Sequence, residues 1–187
     1  MTGHGGHVDP TNKKIALLIS VLALLLAFTQ TFAKSAQTAA ISHNIEAANL
    51  WAFFQAKTIR MTTLRTAAES AEVEMKHEQS PTKREALRMR IEEWKKVAAV
   101  YDSEPDKGEG RRELMARAKA AENDRTRSMA AYHCYELASA ALEIAIVLAS
   151  AQIITGVIIL AWISGGLGVV SLVLSMVGMF APMALHF

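Results

Sequence analysis

After Glu143 the chain carries no Asp, Glu, Lys or Arg, and no other feature constrains its fold as tightly. Uncharged apolar sequence of that length is the mark of membrane-crossing helices, each of which needs about 20 residues to traverse the hydrocarbon core. The alternative, the buried helical core of a soluble domain, seldom runs so far without a charge. The stretch divides at Ser164-Gly165-Gly166, read here as a tight glycine turn. This gives one membrane helix over residues 140–164 and another over 165–187. A further uncharged run, Ile15–Ala33, lies near the N-terminus between Lys13-Lys14 and Lys34. Two lysines, an apolar stretch and Thr31-Phe32-Ala33 also fit a cleaved secretory signal. An uncleaved anchor over 15–33 is the preferred reading, because the helical pattern continues past Ala33 without a breaker.

The charges are confined between the apolar runs. Residues 34–136 hold 18 of the 20 basic and 16 of the 18 acidic residues, leaving only Asp9, Lys13, Lys14 and Glu143 outside. So even a balance argues against a nucleic-acid partner, which selects a one-sided basic surface. The single cysteine, Cys134, rules out an internal disulfide framework and any CxxC zinc or redox site. Lys13 and Lys14 in a short, flexible 1–14 tail outweigh Lys34, which favours a cytoplasmic N-terminus and an extracytoplasmic charged region.

Between Pro10 and Pro81 there is no Gly and no Pro. A 3,4-spaced register runs through Ala36, Ala40, His43, Ala47, Leu50, Phe54, Lys57, Met61, Leu64, Ala68, Ala71 and Met75, one stripe of a single helix. Ser80-Pro81 supplies an N-cap and a first-turn proline for the next helix, with a stripe of Leu87, Ile91, Trp94, Ala98 and Tyr101. Residues 102–110 have the composition of a turn. A third helix then shows Leu114, Ala118, Ala121, Tyr132 and Tyr135 in register. The outgoing arm, about 45 residues, rises roughly 68 Å, and the two returning pieces descend roughly 74 Å together. Such matched lengths predict an antiparallel, coiled-coil-like helical hairpin over 34–139, with breaks near 79–81 and 102–110. The expected fold is therefore all-α: three transmembrane helices, with a long extramembrane hairpin between the first and second.

Two groups of residues point to self-association. Ile45, Ala52 and Ile59 lie 160–180° around the helix from Phe54 and Met61, at about 100° per residue, so one partner helix cannot cover both faces. In the membrane, Ser164/Gly168 and Ser171/Ser175 are small-xxx-small pairs that favour close helix contact. A homo-oligomer is the expectation; the other reading leaves the isoleucines exposed on an alanine-rich helix.

Ile45-Glu-Ala-Ala-Asn-Leu-Trp-Ala-Phe-Phe-Gln-Ala-Lys57 resembles a signature of an uncharacterised bacterial membrane-protein family, domain of unknown function 4337. Leu142-Glu-Ile-Ala-Ile-Val-Leu-Ala-Ser150 is similar to that family's second membrane segment. The resemblance implies a three-helix protein of the bacterial inner membrane and brings no activity with it. Residues 67–123 match no motif.

Catalytic patterns are absent: no GxxxxGK[ST], GxSxG or HExxH occurs, and Gly165-Gly166-Leu167-Gly168 belongs to a membrane segment. His4 and His7 stand in the N-terminal tail, and Met176, Met179 and Met183 are packing or lipid-facing residues. His43/Glu46 and His133/Glu136 are i,i+3 pairs, each on one helix face. Both lie about 15 Å beyond the apolar runs, at ten and eleven residues from them. Imidazole and carboxylate on facing helices are the ligands of di-metal bundles, although those bundles place Glu before His and use more carboxylates. The bland reading is hydrogen-bonded His/Glu pairs, and no cofactor is expected, with a metal ion as the alternative. Glu143 is read as the acid at the start of the second membrane helix, and Gln152 and Thr155 as its deeper polar residues. Were these three to face a shared lumen, the assembly would conduct ions or transport solutes; otherwise they bond to neighbouring helices. The reading that follows is a structural or interaction protein of the lipid bilayer, more a scaffold than an enzyme, with its protein partner unspecified.

Overall fold

The computed structural model describes residues 10–184. The elements run α1 (Pro10–His77), α2 (Pro81–Asp102), α3 (Arg111–Thr155) and α4 (Ile159–Phe180), followed by one turn of 3-10 helix at Pro182–Ala184. No strand occurs among the described residues. Three of the helices, α1, α3 and α4, are long and apolar enough to cross a membrane. His4, His7 and residues 185–187 lie outside the described residues.

The 68 residues of α1 form one uninterrupted helix because nothing in them breaks one: no Gly, no internal Pro, and a high share of Ala and Leu. It begins at Pro10, where the missing proline N–H is one that a helix leaves unpaired anyway. Of the expected flexible tail over 1–14, residues 10–14 are helical and residues 1–9 lie outside the described residues. After His77 the chain turns at 78–80 and α2 opens on Pro81. Ser80 stands at the N-cap position but its hydroxyl makes no capping bond; instead its backbone N–H donates to Glu78 Oε1 at 2.8 Å.

The chain divides into two compact units, one of Met1–Ile41 with Arg125–Phe187 and the other of Ser42–Asp124. In the second unit the register read from sequence coincides with burial. Ala47 and Leu50 of α1 pack with Leu114, Ala118 and Ala121 of α3, and Ala68 and Ala71 pack with Ile91 of α2. His43, Phe54, Leu64 and Met75 are half-buried, and Lys57 and Met61 buried, on the same stripe. The α2–α3 connection is held by its own polar set. Glu113 accepts from the Ser103 hydroxyl at 2.6 Å and from the Glu104 N–H at 3.2 Å, and Asp102 pairs with Arg111 and Arg112.

In the first unit Leu22 of α1 is buried against Leu142 and Ala145 of α3, with Leu167 of α4 packed beside them. Most other apolar side chains here face outward: Ile154 is 86% exposed, Trp162 78% and Phe180 76%. That surface would be costly in water and suits hydrocarbon.

The boundary between the second and third apolar segments differs from the sequence expectation. Helix α3 ends at Thr155 and α4 starts at Ile159, so the turn falls at 156–158 and not at Ser164-Gly165-Gly166. Gly156 takes φ +71°, the left-handed conformation that closes a helix and that L side chains resist. Its N–H still bonds Gln152 O at 2.9 Å. Gly165 and Gly166 lie inside α4, a helix that carries them because each costs only about 1 kcal/mol relative to Ala.

Candidate functional site

The small residues of α4 set the levels of the first unit. Ser164 Oγ donates to Ala145 O at 2.8 Å and Ser171 Oγ to Ala138 O at 2.9 Å, both buried. A Cβ on Gly168 would lie 2.8 Å from the tip of Leu22, and one on Gly178 3.0 Å from Cys134 Cβ. Ser175 Oγ stands 3.5 Å from Thr29 Oγ1. Gly168, Ser171 and Ser175, expected in self-association, here contact α1 and α3 of the same chain. These residues let α4 approach α1 and α3 of the same chain, and Gly168 and Ser171 are buried in that packing.

The same bonds set the level of Glu143 against α4. Lying between Ala138 and Ala145 on α3, it is level with the Ser164–Ser171 stretch of α4. It sits about 7.5 Å or more inside either end of that apolar helix at 1.5 Å per residue. Glu143 thus lies within the length of α4, while its partner on α1, Gln30, stands four residues before Lys34. Its side chain is exposed, and its Oε1 accepts a hydrogen bond from Gln30 Nε2 at 3.3 Å. Gln30 itself belongs to the uncharged 15–33 run.

Around this pair α1 and α3 form an open groove of about 430 Å³, bordered by Lys34 and Gln37 from α1 and by Tyr132, Glu136 and Ser139 from α3. On α1, Gln30, Lys34 and Gln37 follow the i, i+4, i+7 spacing of one helix face; on α3, Glu136, Ser139 and Glu143 follow i, i+3, i+7. Glu136 Oε1 accepts from the Tyr132 hydroxyl at 3.2 Å. Ser139 is only 9% exposed, and its Oγ is buried with no hydrogen-bond partner. Such a hydroxyl ordinarily bonds the carbonyl four residues back, so an orphan beside a polar groove is a feature to explain. The sequence pattern singled out Glu143 and Glu136 but not Gln30, Lys34, Gln37, Tyr132 or Ser139. The available signal was Gln30, a polar residue in an apolar helix, in helical phase with Lys34 and Gln37.

The other candidates are dispersed. His43 Nδ1 is 3.6 Å from Glu46 Oε2 in one unit, and His133 Nδ1 is 3.5 Å from Glu136 Oε2 in the other. Among the described residues no group of three or more His, Cys, Asp or Glu is placed to hold a metal. Gln152 is 3% exposed with an unpaired Oε1, and it lies 180° around α3 from Glu143, nine residues on. Thr155 is exposed, its hydroxyl donating to Ala151 O at 2.9 Å. Glu143 and Gln152 therefore face opposite sides of α3. Ile45 and Ile59 are 55% and 66% exposed, and Ala52 between them is exposed too.

No curated protein and no solved structure matches the chain. The sequence model of one family, described as Domain of unknown function (DUF4337), matches residues 11–181. A match over nearly all of the 187 residues decides membership, and the chain belongs to the DUF4337 family.

Proposed function

We propose that this protein is a multi-pass interaction module of the bacterial inner membrane that works as a homo-oligomer. Its three apolar helices are held in the bilayer, and its charged region forms an antiparallel, coiled-coil-like hairpin that meets a second copy. Lys13 and Lys14 put the N-terminus on the cytoplasmic side and the charged region outside. The observation that carries the association is the Ile45–Ala52–Ile59 stripe. Both isoleucines remain exposed on the side of α1 opposite Leu50 and Phe54, which pack with Leu114, Ala118 and Ala121 of α3. Burying each isoleucine against a second copy would contribute about 1.5–3 kcal/mol. In the double variant Ile45→Glu/Ile59→Glu that gain is lost and charge is placed in a closed contact. The expected outcome is a fall to monomer mass in detergent with helicity retained. An unchanged mass in the double variant removes the proposal.

A further inference from the structure

An exposed carboxylate level with an apolar helix is expensive unless something polar faces it, and the groove around Glu143 has the composition to receive such a group. We infer that the groove between α1 and α3 seats the headgroup of an aminophospholipid, with its primary ammonium on Glu143 and Ser139 and its phosphate on Lys34. This rests on the membrane reading proposed above.

Three observations carry it. The groove, about 430 Å³ and open on one side, is a notch for a small polar group and too small for a partner helix, whose width is 10–12 Å. Its charges are mixed, with Lys34 on one wall and Glu136 and Glu143 on the other, which matches a zwitterion better than an anion or a simple cation. Ser139 of α3 borders the groove. Ser139 Oγ is buried without a partner, and Glu143 has a second oxygen beyond the one that Gln30 engages. A primary ammonium has three N–H donors to satisfy both. A quaternary ammonium has none and is recognised by several aromatic faces, whereas Tyr132 is the one aromatic on these walls. The apolar tails would lie along the exposed side chains of the same unit, among them Phe28 and Val147.

The test uses the full-length chain purified in detergent and offered equal amounts of phosphatidylethanolamine and phosphatidylcholine with identical acyl chains, retained lipid being read by native mass spectrometry. The expected result is retention of the ethanolamine lipid roughly ten-fold over the choline lipid, the worth of one charge-assisted hydrogen bond. Glu143→Gln should abolish the preference and Ser139→Ala should reduce it, both with unchanged far-UV helicity, while Lys34→Ala should weaken retention of both lipids. Equal retention by the wild type, or a preference that survives Glu143→Gln, overturns the assignment. So does displacement of the lipid by soluble phosphoethanolamine, which would make the ligand a free metabolite, or a lipid-free dimer that Glu143→Gln dissociates. Alkaline extraction of membranes runs in parallel. A chain released by alkali defeats the membrane reading itself, whereas one that stays with the membrane and shows no headgroup preference defeats only the groove.

Discussion

Lys57 occupies a position where the helical register calls for an apolar side chain, and it is only 7% exposed. Its stem completes the stripe between Phe54 and Met61, while its ammonium lies 5.4 and 5.3 Å from the Phe53 and Tyr101 ring centres and 3.9 Å from Glu104 Oε2. Glu104 also pairs with Lys107 at 2.9 Å, so removing the Lys57 charge does not strand it. Lys57→Met keeps the stem and should leave stability within about 1 kcal/mol of wild type or raise it. Lys57→Ala, which empties the stripe, should cost about 2 kcal/mol. Melting of the full chain in detergent measures both, and a loss for Met as large as that for Ala would show that the charge matters more than the packing. Glu113 gives the neighbouring connection a pH dependence. The Ser103 hydroxyl, and then the backbone N–H groups of Glu113 itself and of Glu104, hold its carboxyl below the ordinary 4.5. A carboxylate depressed in the folded state stabilises above its unfolded pKa and loses that contribution as pH falls through the folded value. Amide protection over residues 103–110 should therefore decline as the solution is acidified below about 4.5, and in Glu113→Gln it should be weaker at neutral pH and nearly flat across that range.

At the scale of elements, the charged region was legible because its signals are local and agree with one another. A 3,4 spacing sustained from Ala36 to Met75 names the buried face of α1, and Ser80-Pro81 marks the opening of α2. Even Lys57, the apparent exception, follows the register. The α3–α4 turn was not legible, for a physical reason. A Ser-Gly-Gly sequence has the composition of a turn, yet a helix carries its glycines at only about 1 kcal/mol each relative to Ala. What ends α3 is one positive φ at Gly156, a property of backbone that composition does not announce. Gly156→Ala should accordingly cost about 1–2 kcal/mol, the penalty of a left-handed alanine. Gly165→Ala and Gly166→Ala, with open space at the Cβ position, should be neutral or stabilise by up to about 1 kcal/mol. Thermal melts of the three variants in one detergent decide it, and equal destabilisation by all three would return the turn to 164–166. The groove was hidden in the sequence for a related reason. Gln30 and Glu143 stand 113 positions apart, and only the packing of α1 against α3 brings them together.

At the scale of the whole molecule, exposure alone does not separate the two kinds of surface: Ile59 is 66% exposed in the charged unit and Trp162 78% exposed in the apolar one. What separates them is their surroundings. Trp162 stands among Ile158, Ile159 and Ile163, all outward-facing, whereas Ile59 lies between Thr58 and Arg60. The three tryptophans sample both settings, because Trp51 donates to Glu122 Oε1 at 2.8 Å and Trp94 lies under the Arg90 guanidinium. In vesicles whose acyl chains carry bromine, a Trp51→Phe/Trp94→Phe variant retains only Trp162, and its fluorescence should be strongly quenched by the lipid and little affected by aqueous iodide. The Trp162→Phe variant retains Trp51 and Trp94 and should behave in the opposite way. Both should hold if the apolar unit sits in hydrocarbon, since an indole with its faces open to solvent cannot escape iodide unless lipid covers it. Trp162 quenched by iodide and indifferent to bromolipid would mean that its face is covered by water, and the 159–180 helix could then no longer be counted as a membrane span.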